Sequence, residues 1–422
     1  MLSNNRLRIE GGVPLRGRVC ISGAKNAALI LIAASIMAKG ETILDNVPYI
    51  EDVNVLIRIL QEMGVKVHWN EDHSLSIQAP DDMIRVQASA DLTRKLRASN
   101  LLLGSMLGRQ AKVAISVPGG CDIGLRPMDL HIKGVQALGA TVDIKQDSIF
   151  AERENSKGAP IYLDFPSVGA TENIMMMAAM TPGETTIENA AKEPEIVNLA
   201  SYLNAMGASI RGAGTDVIRI SGVPELKAVR YSTIPDRIEA GTYMLAAAAT
   251  GGEVVLENVI PQHVYPVIAK LREMGVTVEE QNPGEILVKT TGKMKPVDIK
   301  TMPYPGFPTD MQSQMLALLS KTEGTSMVVE NVFENRFRII DELRRMGAHI
   351  KADANVAVVE GVPQLHGASV KATDLRAGAA LIIAGCAADG ETEIDNAVHI
   401  FRGYEAVVEK FRKLGARIEA IE

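Results

Sequence analysis

The residues best equipped for chemistry stand in one stretch, Pro118-Gly-Gly-Cys121-Asp-Ile-Gly-Leu-Arg126-Pro127-Met128-Asp129-Leu130. Its glycines remove side-chain bulk and let the backbone take positive φ. A thiol, a guanidinium and a carboxylate then follow one another closely. The run reads as an ordered loop presenting one thiol and one anion-binding arginine to a bound molecule. It reads equally as a surface turn with an incidental cysteine, because turns use glycine and proline routinely. The other two cysteines look inert: Cys386 lies in an apolar helical run and Cys20 in an apparent strand, both expected in the core. Three cysteines cannot all pair, and no CxxC or HExxH spacing is present, so a reduced, cytoplasmic chain without a metal or other cofactor is expected.

A second set of ionisable residues opens a series of apolar helices. These openings read Ser22-Gly-Ala-Lys25-Asn26, Arg94-Lys-Leu-Arg97, Ser167-Val-Gly-Ala-Thr-Glu172-Asn173, Pro235-Asp236-Arg237, Pro308-Thr-Asp310 and Thr373-Asp374-Leu-Arg376. A helix N-terminus carries unpaired N–H groups and the positive end of the dipole, a natural seat for anions. Asp236 and Asp374 therefore suit plain capping. Lys25, Arg97 and Arg376 are misplaced there by about 0.3–1 kcal/mol unless an anion is bound. Lys25 and Arg97, with Arg126 and Arg402, make a credible phosphate or carboxylate site. His399, expected just after a strand, suits packing as well as function.

The elements that position these residues repeat. Each unit has an Ala/Leu/Met-rich helix, a glycine, a strand ending in Asn, an amphipathic helix, Met/Leu-Gly-Ala/Val, and further strands. Gly40-Glu-Thr-Ile-Leu-Asp-Asn46 returns as Gly183 to Asn189, Gly252 to Asn258, Gly324 to Asn331 and Gly390 to Asn396. The second glycine returns at Gly64, Gly139, Gly207, Gly275, Gly347 and Gly415, which defines six copies. Copy two replaces the strand-ending asparagine with the Cys121 loop. Both glycines are placed as left-handed helix caps. The helix Glu51 to Met63 is apolar at three- and four-residue spacing, whereas Ala27 to Ala38 is apolar nearly all round and must be enclosed. Buried helices inside and sheets outside follow, in two lobes of three copies each. The boundaries are residues 23–232 for one lobe, and 1–22 with 233–422 for the other. The first strand, Leu7 to Gly12, matches no complete unit and is placed in the second lobe.

The chain of 422 residues has 44 basic and 51 acidic side chains, a net charge of −7, which argues against a nucleic-acid partner. Its longest apolar run is about 12 residues, short of the roughly 20 that a membrane span requires, so no membrane insertion is expected. The amino terminus lacks the apolar core of a signal peptide.

Several stretches resemble the enolpyruvyl transferase family, on the side of its UDP-N-acetylglucosamine 1-carboxyvinyltransferases. They are the Cys121 loop, Ser22-Gly-Ala-Lys25-Asn26-Ala-Ala, Tyr304-Pro-Gly-Phe-Pro-Thr-Asp310-Met-Gln, Val332-Phe-Glu-Asn-Arg336 and Arg402-Gly-Tyr-Glu405. The resemblance spans essentially the whole chain. It implies an α/β fold of two inside-out α/β barrels of three repeats each, with a cleft closing over the substrates. It also implies enolpyruvyl transfer from phosphoenolpyruvate to the 3-hydroxyl of UDP-N-acetylglucosamine, the first committed step of peptidoglycan precursor synthesis, and the target of fosfomycin. Residue by residue, Lys25 and Asn26 would meet phosphoenolpyruvate, with Arg126 and Arg402 on its anionic groups. Arg97, the run Arg126, Pro127, Met128, Asp129 and Leu130, and Arg376 would serve substrate binding, and Val332 would contact the UDP-sugar through its backbone. Asp310 would stand by the sugar 3-hydroxyl as base. Cys121 would protonate C3 and can form a covalent adduct. Phe165 stands where some members carry a lysine toward the nucleotide, a departure confined to the uridine side. Two alternatives share the repeat architecture: enolpyruvyl transfer to shikimate 3-phosphate, and a non-catalytic UDP-sugar-binding paralogue.

Overall fold

The computed structural model describes residues 5–80, 85, 92, 97–116, 128–145 and 148–421. The repeat is built outward from a helix that no polar stripe marks. Lys25–Ser35 is buried from Ala27 to its end, and Val168–Ala179 from Ala170 to its end. Leu102–Arg109, Arg237–Ala249, Gln312–Ser320 and Leu375–Ala387 are enclosed in the same way. A helix apolar on every side has to lie in an interior. The described residues fall into two units, one within 23–234, the other 5–22 with 235–421. Three of these helices fill each unit, and each unit has its own apolar core. The sheets lie outside them, an inside-out α/β barrel.

Each copy then adds an amphipathic outer helix. In Glu51–Glu62, Val53, Leu56, Ile57 and Leu60 face the core, as their spacing predicts. The helix ends because Gly64 adopts φ 97°, a left-handed conformation that costs glycine nothing and reverses the chain into Lys66–Trp69. The equivalent glycines all repeat this, from φ 89° at Gly275 to 108° at Gly207.

Sheet order repeats as well. Pro160–Tyr162, Glu184–Glu188, Val217–Ser221 and Ser209–Arg211 lie side by side, the first pair parallel and the others antiparallel. Ile299–Lys300, Gly324–Val329, Val356–Gly361 and His349–Asp353 have the same order and sense. In copy six the third strand is drawn from a segment distant in sequence. Arg6–Glu10 takes that place, antiparallel to both Glu391–Asp395 and Arg417–Ile421. The N-terminal strand that matched no repeat thus completes the last one.

Four details depart from expectation. Cys20 ends the strand Arg16–Cys20 but is exposed, because alternation along the strand turns Val19 inward instead. In copy four the left-handed residue is Gly251 (φ 66°), one residue before the expected Gly252. Strand-ending asparagines are themselves left-handed in four copies, with φ of 54°, 56°, 57° and 58° at Asn46, Asn189, Asn258 and Asn396. His399 lies inside the short helix Val398–Phe401 rather than directly after a strand. Among the described residues, no helix is long and apolar enough to cross a membrane.

Candidate active site

Lys25 is the first residue of its buried helix, which has no side-chain cap at Ala24. The chain enters it through Gly23, where a Cβ would fall 1.6 Å from the Asn46 carbonyl oxygen. That close approach admits only glycine. Lys25 Nζ lies 2.6 Å from Asp52 Oδ2, and the two side chains are 15% and 4% exposed. Asp52 sits in the first turn of Glu51–Glu62, where a carboxylate suits the helix dipole. The cation that looked misplaced at a helix N-terminus is therefore matched by a protein carboxylate. Asn26 beside it is exposed.

Arg97 opens the turn Arg97–Leu101, which continues into Leu102–Arg109. Asn173 pins this segment from the neighbouring buried helix. Its Oδ1 accepts from the Gly104 N–H at 2.6 Å, and its Nδ2 donates to the Asn100 carbonyl at 3.1 Å. With Oδ1 so engaged, Nδ2 also faces His131 Nδ1 at 2.8 Å. His131 belongs to Asp129–Ala137, so one carboxamide ties the Arg97 turn to the helix that begins at Asp129. Asp129 is exposed, Leu130 half-buried, and Met128 Sδ accepts from Asn100 Nδ2 at 3.6 Å. Glu172, one residue before Asn173, is fully buried, and burial with the charges of Glu195 and Glu193 raises its carboxyl well above the usual range. Cys121, Arg126 and Pro127 lie outside the described residues. Phe165 is 45% exposed, and the adjacent Asp164 pairs with Lys133 at 2.7 Å.

In the other unit, Asp310 is the middle residue of the turn Thr309–Met311 that leads into Gln312–Ser320. Its carboxylate is held by two guanidiniums: Arg336 Nη2 on Oδ1, and Arg376 Nη2 at 2.8 Å on Oδ2. Arg336 and Arg376 are 3% and 6% exposed, so this charge triad is largely desolvated. Arg376 also donates to the Tyr404 hydroxyl at 3.4 Å, with its guanidinium 5.8 Å from the ring centroid. Burial alone would lower its pKa, but the charges of Asp310, Tyr404 and Asp236 leave it raised. Arg402 follows the helix Val398–Phe401 and is half-buried. Three residues on, Glu405 accepts from the Ser22 hydroxyl. Lys410 Nζ donates to that hydroxyl at 2.7 Å and to Glu239 Oε1 at 2.6 Å. Burial pushes Glu239 up to about 7 against the pull of Lys410. Val332 is half-buried, and its N–H is taken by Glu330 at 2.8 Å.

The structure thus groups Asp310 with Arg376 in one unit, and ties the Arg97 turn to Asp129–Leu130 in the other. Asp52, Arg336 and Glu330 are site neighbours that the spacing of charged residues did not single out. Arg336 alone stood inside a motif already distinctive by sequence.

A sequence profile of the family described as EPSP synthase (3-phosphoshikimate 1-carboxyvinyltransferase) matches residues 9–411. The chain is 53% identical over 414 residues to UDP-N-acetylglucosamine 1-carboxyvinyltransferase 2 of Carboxydothermus hydrogenoformans, covering 98% of both chains. It belongs to the enolpyruvyl transferase family. UDP-N-acetylglucosamine 1-carboxyvinyltransferase 1 of Caldanaerobacter subterraneus is 54% identical over 410 residues, 97% of this chain and 98% of that one. Among solved structures, the enolpyruvyl transferase NikO of Streptomyces tendae matches with TM-score 0.88 and 27% identity over 99% of both chains. EPSP synthase of Acinetobacter baumannii matches with TM-score 0.76 at 20% identity, over 99% of this chain and 100% of that one, a likeness of fold.

Proposed function

We propose that the chain transfers the enolpyruvyl group of phosphoenolpyruvate to the 3-hydroxyl of UDP-N-acetylglucosamine, releasing phosphate. The observation that carries this reading is 53% identity across 98% of the chain to an enzyme named for that reaction. EPSP synthase, which shares the fold, is only 20% identical. The product is a peptidoglycan precursor, and the place of work is the cytoplasm.

The acceptor oxygen attacks C2 of the enol phosphate while C3 gains a proton. The resulting adduct then loses a C3 proton and phosphate to restore the double bond. Asp310 receives the hydroxyl proton and Cys121 supplies the one to C3, as general base and acid. The guanidiniums of Arg336 and Arg376 hold the Asp310 carboxylate in place, so its orientation precedes substrate binding. Lys25, Asn26, Arg126 and Arg402 hold the phosphate and carboxylate of phosphoenolpyruvate as preorganised cations and donors. Arg97, Pro127, Met128, Asp129, Leu130 and Arg376 serve substrate binding, chiefly of the UDP-sugar. Val332 contacts it through the backbone. Its carbonyl is the group for that contact, since its N–H already serves Glu330.

The test is phosphate release from phosphoenolpyruvate with UDP-N-acetylglucosamine in one reaction and shikimate 3-phosphate in another. Release with the UDP-sugar alone is expected. Release with shikimate 3-phosphate alone would reassign the acceptor, and silence in both from protein that binds the UDP-sugar would mark a non-catalytic paralogue. Cys121→Ser is expected to resist fosfomycin, and inactivation at the wild-type rate would remove the thiol from its assigned role.

A further inference from the structure

Four copies of the repeat end their first strand in an acidic residue followed by asparagine, Asp45-Asn46, Glu188-Asn189, Glu257-Asn258 and Asp395-Asn396, whereas in copy five the strand ends at Val329 and Glu330-Asn331 follows it. In three of them the acid faces outward and pairs with an arginine of the adjacent strand. Asp45 meets Arg230 at 2.8 Å, Glu257 meets Arg18 at 2.6 Å, and Asp395 meets Arg6 at 3.9 Å. Glu188 is exposed. Copy five is one residue longer between its glycine and its asparagine, so Val329 takes the strand position of those acids, and Glu330, the extra residue, is 3% exposed and turned inward. The backbone departs with it, for Asn331 is absent from the left-handed residues that include its four counterparts. An extra residue that buries its carboxylate needs a local cause.

That cause is a set of four donors converging on one carboxylate. Glu330 Oε1 accepts from the Thr301 hydroxyl at 2.9 Å, the Val332 N–H at 2.8 Å and the Phe333 N–H at 3.1 Å. Oε2 accepts from the Thr309 hydroxyl at 2.9 Å. Thr309 is the residue before Asp310. Phe333 lies under the Arg336 guanidinium, 5.2 Å from ring centroid to Cζ, and Arg336 grips Asp310. One carboxylate therefore fastens the Thr309 side chain next to Asp310, the peptide of the Phe333 whose ring lies beneath its arginine partner, and the Val332 peptide.

We propose that Glu330 is a positioning residue for the acceptor sugar, holding the Asp310 carboxylate and the Val332 peptide in fixed register; this rests on the reaction proposed above. Glu330 does not touch substrate. It sets the spacing between the group that takes the hydroxyl proton and the backbone that receives the sugar, a spacing on which orientation effects depend steeply. Four hydrogen bonds to one buried carboxylate make a stiff joint, because losing the acceptor strands one buried donor and three half-buried ones.

The variants are Glu330→Ala, Glu330→Gln and Thr309→Val. Each is assayed for kcat, for KM of both substrates, for UDP-N-acetylglucosamine affinity by calorimetry, and for thermal melting. In Glu330→Ala the KM for the UDP-sugar is expected to rise about tenfold or more and kcat to fall about tenfold or more, while KM for phosphoenolpyruvate stays within about twofold. Glu330→Gln should recover most of both losses. Its amide oxygen can serve the three donors on Oε1, and its NH2 can donate to Thr309, whose hydroxyl turns to accept. Thr309→Val, which keeps the other three bonds, should lower kcat by about threefold to tenfold. A Glu330→Ala enzyme with a lower melting temperature but unchanged kinetic constants would make the residue merely structural and overturn the proposal. So would equal shifts in KM for both substrates. If Glu330→Ala does not fold, wild-type kcat in Thr309→Val overturns it instead. Wild-type protein run beside them separates the readings. Inert wild type defeats the reaction itself, whereas active wild type with indifferent variants defeats only the role of Glu330.

Discussion

Three aspartates stand at the openings of the three buried helices in one unit, and they do two different things. Asp236 accepts from the N–H groups of Ile238 and Glu239 at 2.8 and 3.0 Å, and Asp374 from those of Arg376 and Ala377 at 2.8 and 3.1 Å. Both are ordinary N-caps. Asp310 does not stand at a cap: it is the second residue of the turn Thr309–Met311, whose N-cap is Pro308, and its carboxylate goes to Arg336 and Arg376. The same residue type near the start of a buried helix thus caps the helix twice, and once pairs with two buried guanidiniums. The difference teaches that past the cap position, where the first helical N–H groups are no longer its partners, a carboxylate is left to the charges packed around it.

The comparison can be broken most decisively at Asp310. Asp310→Asn is expected to lower kcat by about 10²–10⁴-fold while keeping the carboxamide in place. Near-normal turnover would put Asp310 on a par with the caps. Asp310→Ala additionally leaves two buried guanidiniums uncompensated, and a thermal melt should show a loss of about 3–5 kcal/mol. A smaller effect is expected at the counterpart. Asp236→Ala should cost about 1 kcal/mol of stability through the lost cap, with turnover per folded molecule little changed, read by melting and kcat together. A kinetic loss at Asp236 as large as that at Asp310 would erase the distinction.

The smallest effect concerns Glu239, in the first turn of the helix that Asp236 caps. Burial raises its carboxyl to about 7 when folded, against an ordinary value near 4.3 in the unfolded chain. Between those two values the folded protein holds more of this proton, so its contribution to stability is full below about 4.3 and is lost as pH rises through about 7. Glu239→Gln cannot titrate. The melting temperature of wild type should therefore fall relative to that variant between pH 5 and pH 8. A shift of opposite sign would mean that the Lys410 pairing outweighs burial.

Much of the fold was legible from composition and spacing. The enclosed helices, the amphipathic outer ones and the left-handed glycines each depend on a residue's own conformational preferences and on which face it must hide. The Asn of each strand end was visible as a marker but not as a left-handed residue, since that requires knowing that its side chain reaches a carbonyl, as Asn46 reaches that of Thr233 at 2.9 Å. Cys20 shows the limit of reading a strand by composition, because its neighbour Val19 takes the inward position. Among the candidate site residues, Asp310 in one unit and Lys25 in the other stood out by type and place. Asp52 did not, for an acid in a first helical turn already has a sufficient reason to be there.

What the sequence by itself determined is the repeat: its period, the helices that must be buried, and the glycines where the chain must turn. These follow from local backbone energetics and from the pattern of apolar residues, which one chain carries in full. Only the tertiary structure decided which charges meet. Lys25 found Asp52 across 27 positions, Asp310 found Arg376 across 66, and Arg6–Glu10 completed a sheet with Arg417–Ile421. Those pairings depend on how buried helices and outer sheets stack. An ion pair or a strand edge is satisfied by whichever partner the packed core brings within reach, and spacing along the chain carries no record of it.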